Sequence, residues 1–239
     1  MKGKFYGIGV GPGDPELLTL KAYRILNEVE IICVPKSKME RDSVALNTIK
    51  SLLKKEKTIV ELHMPMTRDM EVLEQEWQKG AATVASYLQK GQDVAFITIG
   101  DAMLYSTYSY LMSRVQAIDP EFEIITVPGV TSFAASAAAL NVPLAEGEER
   151  LAIVPSIEDP QKLPEVLAQF PNIVLMKVTP HFNEIVDILE QHNVKDKAVL
   201  ISRCSTPLQQ CERNLDNLKG TTPDYLSLIL VKQQGEWLK

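Results

Sequence analysis

Short apolar runs alternate with longer stretches of helical period almost from one end of the chain to the other. Runs at 4–10, 30–34, 58–62, 94–99 and 123–127 predict strands, and the stretches 16–27, 43–54, 69–90, 105–118 and 131–140 predict the helices between them. Such alternation predicts βα units, hence a mainly parallel sheet with helices on its faces. The run Thr58-Ile59-Val60-Glu61-Leu62 is more polar than the rest and suits an edge strand.

The pattern changes after Leu140. The stretch 141–150 is polar, carries Pro143 and Gly147 and reads as a linker, with Glu148-Glu149 as a solvated turn. A second series follows, with strands predicted at 151–154, 173–178, 198–202 and 225–231 and helices at 163–169 and 183–191. The expectation is two α/β domains with mainly parallel sheets, 1–140 and 151–239, joined by that linker. Ligands of open α/β sheets bind beyond the carboxyl ends of the strands, so the expected site is a cleft between the two domains.

Chemistry concentrates where the strands end. The first run leads into Gly7, Gly9, Gly11 and Gly13, with Pro12 among them. A dinucleotide-binding loop needs G-x-G-x-x-G. Counted from Gly7 the third glycine falls on Pro12, and from Gly9 on Asp14, so a nicotinamide or flavin reading loses its support. The glycines then describe either a tight turn with positive φ or a loop shaped for another ligand. The fourth run ends in Ile99-Gly100-Asp101-Ala102-Met103-Leu104-Tyr105, the fifth in Pro128-Gly129-Val130-Thr131-Ser132. Asp101, Thr131 and Ser132 suit helix caps, but three glycine-bearing turns at one end of one sheet ask for more than capping.

Composition narrows the ligand. Lys and Arg total 25 against 31 Asp and Glu, a net charge of −6 over 239 residues, which disfavours nucleic acid as a partner. No apolar run approaches the roughly 20 residues of a membrane helix. Met1-Lys2-Gly3-Lys4 leads straight into a strand, without a signal peptide's apolar region, so a soluble cytoplasmic protein is expected. Cys33, Cys204 and Cys211 are odd in number and lack metal spacing, and His63, His181 and His192 are scattered; no metal site is expected. Cys33, inside an apolar run, reads as a small buried hydrophobe.

Lys36, Lys38 and Arg41 follow the second run at the ligand end, where they either pair with substrate carboxylates or form a solvated loop. Arg68 and Arg203 are similar candidates. The chain has no G-x-S-x-G elbow, no H-E-x-x-H and no P-loop lysine. Its residues point to binding and positioning rather than to covalent or metal chemistry.

Taken together, the three loops resemble those of the tetrapyrrole methylase family. Gly9-Val10-Gly11-Pro12-Gly13-Asp14-Pro15, followed by Leu17-Leu18-Thr19-Leu20-Lys21-Ala22, is similar to the family's opening signature. Gly100-Asp101 with Met103-Leu104-Tyr105 is similar to its second loop, and Pro128-Gly129-Val130-Thr131-Ser132 to its third. The resemblance covers nearly the whole chain. It implies S-adenosylmethionine as cofactor, folded between the domains against Pro12, Ile99, Gly100, Asp101, Met103, Leu104, Tyr105, Thr131 and Ser132. The second domain would add Met176, Cys204 and Leu226. It implies a tetrapyrrole substrate in the trough of the first domain, beside Gly11, with its carboxylates facing Lys36, Lys38, Arg41 and Arg68, and a homodimer.

Within the family, two stretches look most like the members that methylate meso carbon 20 of precorrin-2 or its cobalt complex. They are Tyr105-Ser106-Thr107-Tyr108-Ser109-Tyr110, and Pro35-Lys36-Ser37-Lys38 leading to Ser43-Val44-Ala45-Leu46. Two departures stand out. Ala102 occupies a place where proline is usual, and Pro35 stands where related uroporphyrinogen methylases carry an aspartate proposed as a base.

Overall fold

A computed structural model describes residues 1–36, 43–155 and 159–234, and the chain divides into two compact units, Met1–Thr131 and Ser132–Lys239. The first holds five strands, β1 (Phe5–Gly9), β2 (Ile31–Lys36), β3 (Thr58–His63), β4 (Val94–Thr98) and β5 (Ile124–Val127). They form a sheet that is parallel throughout, in the order β3-β2-β4-β1-β5. Helices α1 (Leu20–Glu28), α2 (Val44–Ile49), α3 (Met70–Leu88) and α4 (Tyr108–Ile118) alternate with the strands.

Successive strand residues point to opposite faces, and here both faces are covered. Ile31, Cys33, Val94 and Phe96 pack with Trp77 and Val84 of α3 and Leu111 of α4. Their neighbours Ile32, Val34, Ala95 and Ile97 pack with Ile25 and Leu26 of α1 and Ile49 of α2. Double coverage is why these strands read as unbroken apolar runs. β3 lies at the edge, as its polar composition predicts, with Thr58, Ile59 and Glu61 exposed. Cys33 is enclosed, and burial pushes its thiol up to about 12, so it serves as a core hydrophobe.

Two helix starts differ from the sequence expectation. The helix predicted from residue 16 begins at Leu20, because a separate 3-10 turn, Pro15–Leu17, intervenes. Asp14 accepts from the Glu16 N–H at 2.8 Å to start that turn, and Thr19 Oγ1 caps α1 by accepting from the Ala22 N–H at 3.2 Å. The helix predicted from residue 105 begins at Tyr108, since Tyr105 holds a φ of 52° that an α-helix excludes.

The second unit opens with α5 (Ser132–Leu140) and continues β6 (Leu151–Val154), α6 (Leu163–Gln169), β7 (Asn172–Met176), α7 (Phe182–Gln191), β8 (Ala198–Ser202), β9 (Gln210–Glu212) and β10 (Ser227–Lys232). Its sheet runs β6-β7-β10-β8-β9. β6 and β7 are parallel, β10 is antiparallel to β7 and β8, and β9 folds back on β8. Over the two sheets five of the eight pairings are parallel. Leu175, Ile185, Leu189, Leu200 and Ile229 centre its core.

Glu149, read from the sequence as part of a solvated turn, is instead drawn into the second unit. Its carboxylate accepts from the Glu146 N–H at 2.9 Å, from Asn172 Nδ2 at 3.0 Å and from Lys232 Nζ at 3.3 Å. Those contacts, the Glu146 N–H first, hold its carboxyl below the usual range. Lys232 is buried at the end of β10 and also lies 3.1 Å from Glu146. A buried ammonium requires such partners, which is why a polar segment folds back onto β7 and β10.

Candidate functional site

Because the first sheet is parallel, the loops after β1, β4 and β5 emerge at one end of it. The chain leaving β1 heads for β2 past β4, and the chain leaving β4 heads for β5 past β1. The loops therefore meet above the β4–β1 pair, where only bare backbone fits. Gly100 N–H donates to Gly11 O at 2.7 Å and Gly11 N–H donates to Gly100 O at 3.1 Å. A Cβ on Gly9 would lie 2.6 Å from Gly100 O and 2.7 Å from Gly129 N, and one on Gly129 would lie 2.1 Å from Gly100 O.

The glycines divide by what the backbone needs of them. Gly11 and Gly100 hold left-handed φ values of 81° and 69°, whereas Gly9 and Gly129 serve close approach. Gly7 makes room for an aromatic ring: a Cβ there would lie 1.9 Å from the ring of Tyr108, a fully buried side chain whose Oη is 3.0 Å from Thr126 Oγ1. Gly100 differs from its neighbours in one respect. A Cβ built on it meets nothing within 4 Å, so this cradle of main chain has an open side.

Around Gly100 the candidates from the second loop divide by exposure. Ile99, Asp101 and Leu104 are half-buried, while Met103 and Tyr105 are exposed. Pro12 is buried beside Gly11. Tyr105 keeps its left-handed backbone despite a bulky side chain, a kind of strain that collects at functional sites. Asp101 does not cap α4. Its Oδ1 accepts from the Met103 N–H at 2.8 Å and its Oδ2 from the Gly129 N–H at 2.9 Å, while Ser106 Oγ accepts from the Tyr108 N–H at 3.1 Å where α4 begins. Thr131 ends the first unit and Ser132 opens α5, both half-buried.

The cations are distributed less tightly. Lys36 ends β2, exposed, with its Nζ 2.6 Å from Glu61 on β3. Pro35 precedes it opposite Leu62. Arg68 is exposed in the connection from β3 to α3, and Lys38 and Arg41 lie outside the described residues. At the end of β3, His63 Nδ1 is 3.0 Å from Glu76, whose carboxyl is held below its usual range by Lys79 first and His63 second. Among the described residues no group of three potential metal ligands occurs, and no helix is long and apolar enough to cross a membrane.

In the second unit, Met176 ends β7, Cys204 follows β8 and Leu226 precedes β10. The register gathers them at one end of that sheet: Met176 is opposite Leu228, Ser202 is opposite Ser227, and Arg203 N–H donates to Leu226 O at 2.9 Å. Strain collects here too, with φ at 53° for Lys177, 48° for Arg203 and 62° for Ser205. Arg203, a candidate substrate cation in the sequence, is engaged within the unit: its Nε donates to Asp224 Oδ2 at 2.7 Å. Asp224 was missed by the sequence reading. Its Oδ1 accepts from the Leu226 N–H at 2.9 Å, and the available signal was an Asp two residues before Leu226, ahead of the last strand.

Comparison with known proteins bears on what this arrangement serves. Residues 4–218 match the model of the tetrapyrrole (corrin/porphyrin) methylases. The cobalt-precorrin-2 C(20)-methyltransferase of Salmonella typhimurium is 37% identical over 99% of both chains. A Methanocaldococcus jannaschii protein named "Probable cobalt-precorrin-2 C(20)-methyltransferase" is 38% identical over 96% of both. The fold is shared with the uroporphyrin-III C-methyl transferase of Thermus thermophilus, solved with S-adenosyl homocysteine, at a TM-score of 0.65 and 22% identity, covering 97% of this chain and 98% of that one. With the match running from the first strand deep into the second unit, the chain belongs to the tetrapyrrole (corrin/porphyrin) methylases, enzymes that take their methyl group from S-adenosylmethionine.

Proposed function

We propose that this chain methylates meso carbon 20 of cobalt-precorrin-2, or of precorrin-2 without the metal, in cobalamin biosynthesis. The observation that carries the proposal is 37% identity, over 99% of both chains, to the Salmonella protein named for that reaction. Both relatives described above carry cobalt in their names, which favours the metal-loaded ring.

The residues present suit the cofactor. Ile99, Gly100, Met103, Leu104 and Tyr105, with Pro12 and Thr131, would hold it from the first unit, where Asp101 shapes the backbone they share, and Ser132, Met176, Cys204 and Leu226 would do so from the second. The open side of Gly100 supports this, since a close-packed ligand can approach main chain there without meeting a side chain. Bound there, S-adenosylmethionine supplies a methyl group already activated by its sulfonium. A meso carbon of a reduced tetrapyrrole is itself electron-rich. The protein's own part is then to align that carbon and to keep water out. The ring's carboxylates would face Lys36 and Arg68, with Lys38 and Arg41, beside Gly11. Pro35 stands next to last in β2, so no carboxylate from that position takes part. The net charge of −6 supports a small molecule over nucleic acid as partner; a cytoplasmic homodimer completes the reading.

Single-turnover transfer from labelled S-adenosylmethionine to each ring, offered anaerobically, tests the substrate. Faster transfer to the cobalt complex is expected, and faster transfer to the metal-free ring would reassign it. Lys36→Gln should raise the KM for the ring up to about fivefold, the modest effect of an exposed charge, and leave cofactor affinity unchanged. An unaltered ring KM would reduce Lys36 to its pairing with Glu61.

A further inference from the structure

We propose that Asp101 is a positioning residue, whose carboxylate ties the loop after β4 to the loop after β5 and so fixes the cofactor-receiving backbone before any ligand arrives. This rests on the cofactor reading above. Each oxygen already has a main-chain partner: Oδ1 takes the Met103 N–H at 2.8 Å and Oδ2 the Gly129 N–H at 2.9 Å. Charge-assisted bonds of this kind are stronger than neutral ones.

Their placement gives them leverage. The Gly129 amide sits where Gly9 and Gly100 leave no room for a side chain, as a Cβ on Gly9 would lie 2.7 Å from Gly129 N. Holding that amide keeps three loops in contact, and the third of them runs on directly to Thr131. The Met103 bond closes the second loop on itself beside the left-handed Tyr105. Without the carboxylate, Gly129 and Met103 lose their acceptor, and the strained segment between Gly100 and Tyr105 loses a restraint on either side.

Asp101→Asn keeps one acceptor oxygen and turns the other into a donor, which a main-chain N–H cannot use. Amide hydrogen exchange on the ligand-free protein and calorimetry with S-adenosylhomocysteine would be measured side by side. At least one of the Gly129 and Met103 amides should exchange about tenfold faster in the variant, and the ligand should bind about tenfold more weakly. Weaker binding with both amides as protected as in the unaltered chain would make Asp101 a direct ligand contact and overturn the proposal; so would unchanged affinity. Failure of the unaltered chain to bind S-adenosylhomocysteine would instead overturn the cofactor reading, and the exchange data would still decide whether the tie exists. Should Asp101→Asn not fold, Asp101→Glu carries the same test, because it keeps the charge but shifts the oxygens by a methylene, and the same paired loss is expected.

Discussion

Gly129→Ala should destabilise the first unit severely. The new methyl would lie 2.1 Å from Gly100 O and 2.7 and 2.8 Å from the carbonyl carbon and oxygen of Gly9. All three are main chain, so no flexible side chain can yield. Gly100 is fixed by two hydrogen bonds to Gly11, and Gly9 is the last residue of β1, in register with Thr98 of β4. Relief therefore requires parting the ends of paired strands. We place the cost above about 4 kcal/mol, in the far tail of single substitutions, which for a chain of this size lowers the melting midpoint by about 8–16 °C. A midpoint within a few degrees of the unaltered protein would show that the loops can separate, and the three-glycine contact would lose its structural role.

Gly100→Ala should do the reverse, sparing the fold and harming the ligand. Its Cβ meets nothing within 4 Å, so the folding cost is confined to the left-handed φ of 69°, about 1–2 kcal/mol. Yet the methyl would stand on the open side of the cradle, where the cofactor is proposed to approach. Overpacking of that size should weaken S-adenosylhomocysteine about ten- to hundredfold by calorimetry, with the circular dichroism spectrum retained. Unchanged affinity would mean that the open side of Gly100 faces something other than the cofactor, and the proposed site would have to move. The two substitutions add the same methyl to neighbouring glycines, so their contrast separates a residue that builds the cradle from one that lines it.

The features legible in the sequence are those whose cause is local. Strands buried on both faces leave unbroken apolar runs, which is why 198–202 coincides with β8; the short apolar run 151–154 coincides with half-buried β6 at the sheet edge, and the amphipathic stretch 163–169 with α6. Glycines at strand ends mark the loops from composition and spacing alone. What stayed hidden depends on partners far apart in the chain. Gly7 alone does not disclose that Tyr108 lies over it, nor does Asp101 announce its bond to Gly129, nor Lys232 its partners Glu146 and Glu149. β9 escaped notice because Gln210-Cys211-Glu212 is short and offers no apolar face, being held mainly by its ladder to β8. The direction of β10 was equally unreadable, since a strand buried from end to end carries no mark of which way it runs. Tyr105 looked like the start of a helix; only the folded backbone shows it in the left-handed region.

The most direct test of the central claim is where the methyl group goes. S-adenosylmethionine carrying a carbon-13 methyl would be incubated anaerobically with the protein and the cobalt complex of precorrin-2, and the product examined by carbon NMR and mass spectrometry. One new methyl on meso carbon 20 is the expected result. A label on another ring carbon would keep the family and refute the assigned position, and no transfer by protein that binds S-adenosylhomocysteine would contradict the proposed reaction itself.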